Sequence, residues 1–196
     1  MNRHTSNSVR WSLFIFIITL IIAFVITIVS TAILVGVSWG VGMLVVLVII
    51  LLGVFFDIIG IAATAAREEP FHAMCAEKLV GAKEALRVVR NADRFSNFCN
   101  DVIGDTAGIV SGVASATVVI ELVREMGLNE GSYQYLIISV LFTSLVAALT
   151  VGGKAFGKSY AIRYANNITL AVGKVFSVME KRLNISLFKN IKGKGR

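Results

Sequence analysis

Proline, cysteine and histidine are scarce in this chain, whose 196 residues include one proline, two cysteines and two histidines. Disulfide-rich secreted domains carry many more cysteines, and collagen-like or proline-rich disordered chains carry many more prolines. Cys75 and Cys99 lack the spacing of a metal-binding pair. His4 and His72 stand alone, without a metal ligand or a nucleophile at a meaningful spacing. The sequence therefore disfavours an enzyme, and we expect no organic cofactor.

Charge is missing from most of the N-terminal part. No lysine, arginine, aspartate, glutamate or histidine occurs between Arg10 and Asp57, although one bilayer crossing needs only about 20 apolar residues. The chain is 56% hydrophobic with a mean hydropathy of +0.80, far outside the profile of a soluble domain. Three glycines and Trp39 mark a break within the apolar run. We therefore predict transmembrane helices over residues 11–35 and 41–65.

Two later segments also qualify as spans. Residues 131–153 carry no charge and include two tyrosines near their start, a residue type that anchors helices at the membrane surface. Residues 102–123 form a span only if Asp105 and Glu121 are accepted near their two ends. The sequence thus predicts an all-α integral membrane protein with four transmembrane helices.

The basic residues favour one orientation. All but one of the 19 lysine and arginine residues fall in segments 1–10, 66–100 and 154–196, and only Arg124 falls elsewhere. Because such residues concentrate on the cytoplasmic side, we expect a multi-pass protein of the plasma membrane with both termini in the cytoplasm. A cleaved secretory signal is the competing interpretation, but the first apolar run is longer than a signal core and continues into a second span.

The segment between the second and third spans predicts amphipathic helices. Residues 67–100 are too polar to cross the bilayer yet have helical periodicity, so we expect a pair of short helices along the inner surface. The first should start around Pro70 and end near Gly81. These helices either form a collar that contacts anionic lipid head groups or are a solvated connector. In the second helix we expect one face to contain Ala82, Ala85, Leu86 and Val89.

The net charge of +7 has its explanation in this topology. A basic membrane-surface protein that binds nucleic acid would have only this charge in its favour, so no nucleic-acid partner is expected. The expected partners are the lipid bilayer and its anionic head groups, to which the basic tail is attracted.

Three charges stand where apolar residues are expected. Asp57 lies inside the second span, Asp105 at the inner end of the third and Lys154 at the inner end of the fourth. A carboxylate within a spanning helix costs on the order of 2.5–3.5 kcal/mol on insertion scales. One interpretation is an internal ion pair of Lys154 with an aspartate. The other is a site for a hard cation such as Mg²⁺, with the carbonyl of Gly104 approachable.

Small residues recur at four-residue spacing in the third span. This spacing allows close helix contact in lipid or leaves room beside a pore-lining site, and packing is the favoured interpretation. The residues concerned are Gly104, Gly108, Gly112, Ser111 and Ser115.

Four short motifs follow one another along the chain. They are Phe55-Phe56-Asp57-Ile58-Ile59-Gly60-Ile61-Ala62-Ala63-Thr64, Asn91-Ala92-Asp93-Arg94-Phe95, Val102-Ile103-Gly104-Asp105-Thr106 and Gly153-Lys154-Ala155-Phe156-Gly157-Lys158. This order resembles the transmembrane domain of the CNNM/CorC magnesium transporters, over roughly residues 45–185. The chain departs from the family pattern at Gly60 and Lys154, where the family has glutamates, and at Gly157, where it has proline.

The resemblance implies a three-helix transmembrane core with cytoplasmic juxtamembrane helices over residues 41–185, working as a homodimer. It leaves an extra transmembrane helix in residues 1–40 and a basic cytoplasmic tail in residues 186–196. The family's nucleotide-binding CBS pair has no counterpart in these residues, so nucleotide control of that type is not expected.

The same resemblance implies Mg²⁺ export, with Co²⁺ as a second candidate ion. The ion contacts of the family map onto Asp57, Gly104 and Asp105, with Lys154 as a counter-charge. The alternative is a non-transporting membrane scaffold or accessory protein that retains the fold and has an internal salt bridge in place of the ion.

Overall fold

The computed structural model describes residues 3–129 and 131–183, which are almost entirely helical. Eight α-helices and one π-helix make up this part of the chain. In chain order they are α1 (Arg3–Leu34), α2 (Trp39–Ala65), α3 (Glu68–Ala76), α4 (Ala82–Arg90), α5 (Ala92–Asn97), the π-helix (Phe98–Asp105), α6 (Thr106–Glu125), α7 (Tyr133–Arg163) and α8 (Ala165–Leu183). The predicted basic tail, residues 186–196, lies outside the described residues.

Four helical segments are long and apolar enough to cross a membrane, which confirms the predicted all-α membrane fold with four spans. The third combines α5, the π-helix and α6 into one continuous segment. The four spans are Val9–Leu34, Trp39–Ala65, Ala92–Glu125 and Tyr133–Arg163.

Two helix ends differ from the prediction. Helix α1 begins at Arg3, upstream of the expected residue 11, and α7 continues past residue 153 to Arg163. Lys154 and Lys158 do not end the helix, because lysine is a good helix former. The charge pattern therefore marked the limit of the apolar zone and not the end of the helix.

The core of the bundle lies between α2, α6 and α7. Its buried side chains are mostly small or β-branched, so the helices approach closely. Helix α1 packs mainly on α6 and leaves most of its apolar surface exposed. Members of the buried cluster include Val46, Ile50, Val118, Val119 and Phe142.

Short helices α3, α4 and α5 lie with α8 at the end of the bundle where α2 and α7 finish, and we call these four helices the collar. Helix α4 packs on α8 and on α3, while α5 packs on α2. The predicted pair of short helices is present as α3 and α4, and a third helix, α5, follows them before the π-helix. Pro70 lies in the first turn of α3, where its missing N–H breaks no helical hydrogen bond. Helix α4 buries Ala82, Ala85 and Val88, while Leu86 and Val89 are half-buried.

A close backbone approach fixes α8 on α4. Gly81 has φ +86°, a left-handed conformation that favours glycine, and its carbonyl oxygen contacts Gly173 of α8. A Cβ atom at Gly173 would also lie 2.7 Å from the backbone nitrogen of Ala85. Arg87 and Glu180 add an ion pair of 3.3 Å between the same two helices. Glycine at position 173 is therefore a packing requirement of the collar.

Candidate functional site where α2 meets the π-helix

Asp57 is the buried carboxylate of the membrane-spanning region. Its exposed fraction is 9%, and no hydrogen bond or ion pair reaches its oxygens from the part of the chain that the structure describes. It lies about 27 Å along α2 from Trp39, compared with about 30 Å for a bilayer hydrocarbon core. Asp57 thus lies within the membrane, close to the collar end.

Gly104 of the π-helix faces Asp57 across a small space surrounded by oxygen atoms. At the position that a Cβ atom of Gly104 would occupy, the nearest atoms are the carbonyl oxygens of Cys99 at 3.3 Å and Gly53 at 3.4 Å, and Oδ1 of Asp57 at 3.7 Å. Any larger residue would fill this space. Because glycine is present, three oxygen atoms from two helices surround one point.

Asn100 supplies a further oxygen at the same helix interface. Its Nδ2 donates a hydrogen bond of 3.1 Å to Oγ of Ser96, while its Oδ1 is buried and receives none from the described residues. This Oδ1 contacts Gly60, which lies one helical turn after Asp57 on α2. A buried carbonyl-type oxygen without a donor is unusual in native proteins and calls for a ligand or an ordered water.

Sequence reasoning did not single out Asn100. The available signal was its position one turn before Gly104, on the segment that the prediction had already marked as polar. The π-helix gave no such signal, since its wider winding with i to i+5 hydrogen bonds has no clear sequence signature. Short π-helical insertions are found frequently at functional sites.

Asp105 and Lys154 form an ion pair that joins the π-helix to α7. Lys154 Nζ lies 2.6 Å from Asp105 Oδ1, and the side chains are 22% and 62% exposed, respectively. The positive charges of Lys154 and Lys158 and the negative charges of Asp105 and Asp101 all act on Asp57. The structure therefore brings the three predicted charges to one level, but Lys154 bonds only one of the two carboxylates.

The small residues that recur in the third span do not all face the same neighbour in the structure. Gly104 faces α2, while Gly108 faces α7 with Thr150 Cγ2 3.6 Å from its would-be Cβ. Gly112 has no such neighbour within 4 Å and lines a groove of about 440 Å³ between α6 and α7. Ser111 and Ser115 are fully buried, and their hydroxyls donate to helix carbonyls at 2.8 Å and 2.6 Å.

Metal ligands are few around this site. Across residues 3–129 and 131–183, no three histidine, cysteine, aspartate or glutamate side chains come together. A zinc or other all-side-chain site is therefore unsuited to the geometry. A partly hydrated Mg²⁺ fits better, because it needs only one or two carboxylates and takes further oxygens from carbonyls and water.

The sequence also contains two enzyme-like patterns that were not predicted. Gly152–Ser159 has the spacing of a phosphate-binding P-loop, and Gly36–Gly40 has the Gly-x-Ser-x-Gly spacing of a hydrolase nucleophile. The first is helical throughout within α7, so its amide groups are already hydrogen-bonded and form no phosphate loop. The second connects two helices, whereas the hydrolase motif joins a strand to a helix. Neither pattern has the structural context that its chemistry requires.

Comparison with known proteins gives no match to this chain among family models, curated proteins or solved structures.

Proposed function

We propose that this chain transports a divalent cation, Mg²⁺ in the first place and Co²⁺ as a second candidate, across the plasma membrane. The observation that carries the proposal is Asp57, a buried carboxylate in a membrane span that has neither a hydrogen bond nor an ion pair from the described residues. Intramembrane carboxylates normally face a protein partner, water or an ion, because an isolated charge in lipid is costly.

The surroundings of Asp57 favour a hard cation over an organic substrate. The carbonyl oxygens of Cys99 and Gly53 lie beside it around Gly104, and the donor-free Oδ1 of Asn100 lies at the same interface. Oxygen ligands of this kind suit Mg²⁺, and each carbonyl keeps a second lone pair after its helical hydrogen bond. Asp57 is thus the principal ion contact in our proposal, with the Gly104 space beside it.

Asp105 and Lys154 take a different role in this proposal. The ion pair holds the Lys154 ammonium on Asp105, where it acts on Asp57 as a counter-charge without direct contact. A cation that arrives at the site competes with the Lys154 ammonium for the negative charge of Asp57 and Asp105. Asp105, being more exposed than Asp57, is then a transient contact at the mouth of the site.

Two further elements of the proposal rest on sequence. The ordered motifs that resemble CNNM/CorC transporters support cation transport and a homodimer. The distribution of basic residues supports cytoplasmic termini, which puts the collar and Asp57 on the cytoplasmic side.

A non-transporting scaffold is the second candidate, and the Asp105–Lys154 ion pair favours it. A contact of 2.6 Å that ties α7 to the π-helix can stabilise the bundle without any ion. Under this alternative, the cation site of the resembling family is replaced by a structural salt bridge. The two candidates differ in whether Asp57 is needed for ion movement.

Flux measurement in proteoliposomes separates the candidates. Purified full chain is reconstituted, and Mg²⁺ or Co²⁺ movement is followed with a trapped fluorescent indicator. We expect Asp57→Ala to reduce flux at least about tenfold, because a charged ligand contributes well over 1 kcal/mol. Asp105→Ala should reduce the flux less than Asp57→Ala does.

The matched control is Asp93→Ala, which removes an exposed acid of the collar. It should leave flux unchanged. Absence of flux from the wild-type chain, or flux that is indifferent to both Asp57→Ala and Asp105→Ala, would overturn the transport proposal and favour the scaffold.

A further inference from the structure

A second cavity lies at the collar end, away from Asp57. Its volume is about 390 Å³, and it opens where α2 ends, where α7 ends and where α8 begins. Apolar Ala65 and Ile162 line one part, and polar residues line the rest. Because it joins the ends of two membrane spans to a surface helix, the cavity lies at the level where lipid head groups meet water.

Two arginines give this cavity its charge. Arg67 and Arg163 both line it, and neither forms an ion pair with any carboxylate in the described part of the chain. The guanidinium of Arg163 lies 5.7 Å from the ring centre of Tyr164, which leaves its N–H groups available. None of the residues that line the cavity is acidic. The charged residues that line the cavity are therefore both positive, which favours an anionic ligand.

Asn166 adds hydrogen-bond donors to the positive charge. Its Oδ1 accepts a hydrogen bond of 3.2 Å from the backbone N–H of Arg67, so its amide NH₂ remains free to donate. The first turn of α8 also lines the cavity, so the positive end of the helix dipole adds to the potential there. Guanidinium groups and amide donors around one cavity match the oxygens of a phosphate.

We propose that this cavity binds a phosphate group, supplied by an anionic phospholipid or by a soluble phosphate. The apolar wall of Ala65 and Ile162 gives the start of an acyl chain a place to lie, while Arg67 and Arg163 hold the phosphate. Basic pockets between membrane helices bind anionic head groups in this way. The site depends on neither Asp57 nor cation transport.

Lipid retention by the purified full chain tests the proposal. The chain in detergent is titrated with phosphatidylglycerol, with phosphatidylcholine and with inorganic phosphate, and bound ligand is counted by native mass spectrometry. The variant is Arg67→Gln with Arg163→Gln, two exposed positions whose change leaves the core intact. Lys158→Gln with Lys174→Gln is the control, which removes the same charge from exposed positions outside the cavity.

We expect the wild-type chain and the lysine control to retain phosphatidylglycerol, and the arginine variant to bind it at least about tenfold more weakly. Binding of inorganic phosphate with the same arginine dependence would support the site and identify a soluble source. Equal weakening in the lysine control would show general attraction to basic charge and overturn the proposal. Unchanged binding in the arginine variant, or no binding of any probe by the wild-type chain, would also overturn it.

Discussion

Lys154 Nζ lies 2.6 Å from Asp105 Oδ1, while Asp57, at the same level of the bundle, has no bonded partner in the described residues. One base therefore meets the more exposed of two acids and leaves the buried one unpaired. A pairing selected for stability alone would join Lys154 to the buried acid, because an unpaired buried charge is the more costly of the two.

Asp57→Asn should stabilise the protein in the absence of divalent cations. Replacing an unpaired carboxylate by a neutral amide of similar size removes a desolvation cost, and we expect an increase of about 1 kcal/mol or more in the free energy of unfolding. Thermal unfolding in detergent measures this change. Added Mg²⁺ should raise the unfolding temperature of the wild type but not of Asp57→Asn.

Asp105→Asn is the paired control for that experiment. Because the Asp105 side chain is 62% exposed, its loss should change stability by less than about 1 kcal/mol. Destabilisation by Asp57→Asn would contradict the idea that Asp57 is an unpaired functional charge.

Lys154→Gln should tighten Mg²⁺ binding. Lys154 is the cation with the largest effect on Asp57, and Lys158 has a smaller one. Removing the Lys154 charge should increase the apparent affinity for Mg²⁺ by about tenfold, because Coulomb energies between partly buried charges are large enough for such a change. Measured by isothermal titration, the Mg²⁺ affinity should be highest for Lys154→Gln, intermediate for Lys158→Gln and lowest for the wild type. Lys174→Gln is the remote control. An affinity unchanged by both Lys154→Gln and Lys158→Gln would refute this electrostatic role.

Gly60→Ala should weaken the packing of α2 on the π-helix. An alanine Cβ would collide with Oδ1 of Asn100 and lie 3.1 Å from Cβ of Cys99, so the Asn100 side chain must move. We expect a loss of about 1–3 kcal/mol in stability. Gly152→Ala, whose Cβ meets nothing within 4 Å, is the matched control and should be neutral or slightly stabilising. Equal unfolding temperatures for the two variants would contradict this packing.

Gly173→Ala should detach α8 from α4. Its Cβ would meet the carbonyl oxygen of Gly81 and the backbone nitrogen of Ala85, which cannot rotate away as a side chain would. Hydrogen exchange should increase in both helices while the membrane spans stay protected. Ala171→Val adds volume at an exposed position of α8 and should leave exchange unchanged. Wild-type protection in Gly173→Ala would show that the collar tolerates a wider spacing.

Cysteine labelling tests the proposed orientation. Cys75 of the collar is half-buried, whereas Cys99 is only 3% exposed at the α2 interface. A membrane-impermeant maleimide should label Cys75 in inside-out vesicles and should not label Cys99 in the folded protein. Asn129→Cys, placed at the opposite end in a chain without other cysteines, should be labelled in right-side-out vesicles. The reverse pattern would invert the topology.

The sequence predicted the spans but not how their polar residues are connected. Runs of apolar residues identify four helices because bilayer thickness imposes their length, and even the weakest span, 102–123, was found this way. The depth of Asp57, Asp105 and Lys154 followed from their positions along those helices. Their pairing did not, because it depends on the rotation of each helix about its axis, which packing across the bundle determines.

The π-helix and Asn100 were missed for a related reason. A π-helical turn is less favourable than an α-helical one and persists only where tertiary contacts hold it, here against α2 around Gly53 and Gly60. Such contacts join residues far apart in sequence. The length of α7 was missed because lysine was taken as the end of a span, although lysine is a good helix former and the helix continues beyond the apolar zone.

Helix α7 joins the membrane span to the collar as one continuous element. Its 31 residues extend about 46 Å, which exceeds the roughly 30 Å of a hydrocarbon core. Its charge-free part ends at Gly153, so the last ten residues, from Lys154 to Arg163, extend about 15 Å beyond the apolar zone. The ion pair at Lys154 and the cavity at Arg163 therefore lie on the same helix. A change in the tilt of α7 would move both of them together.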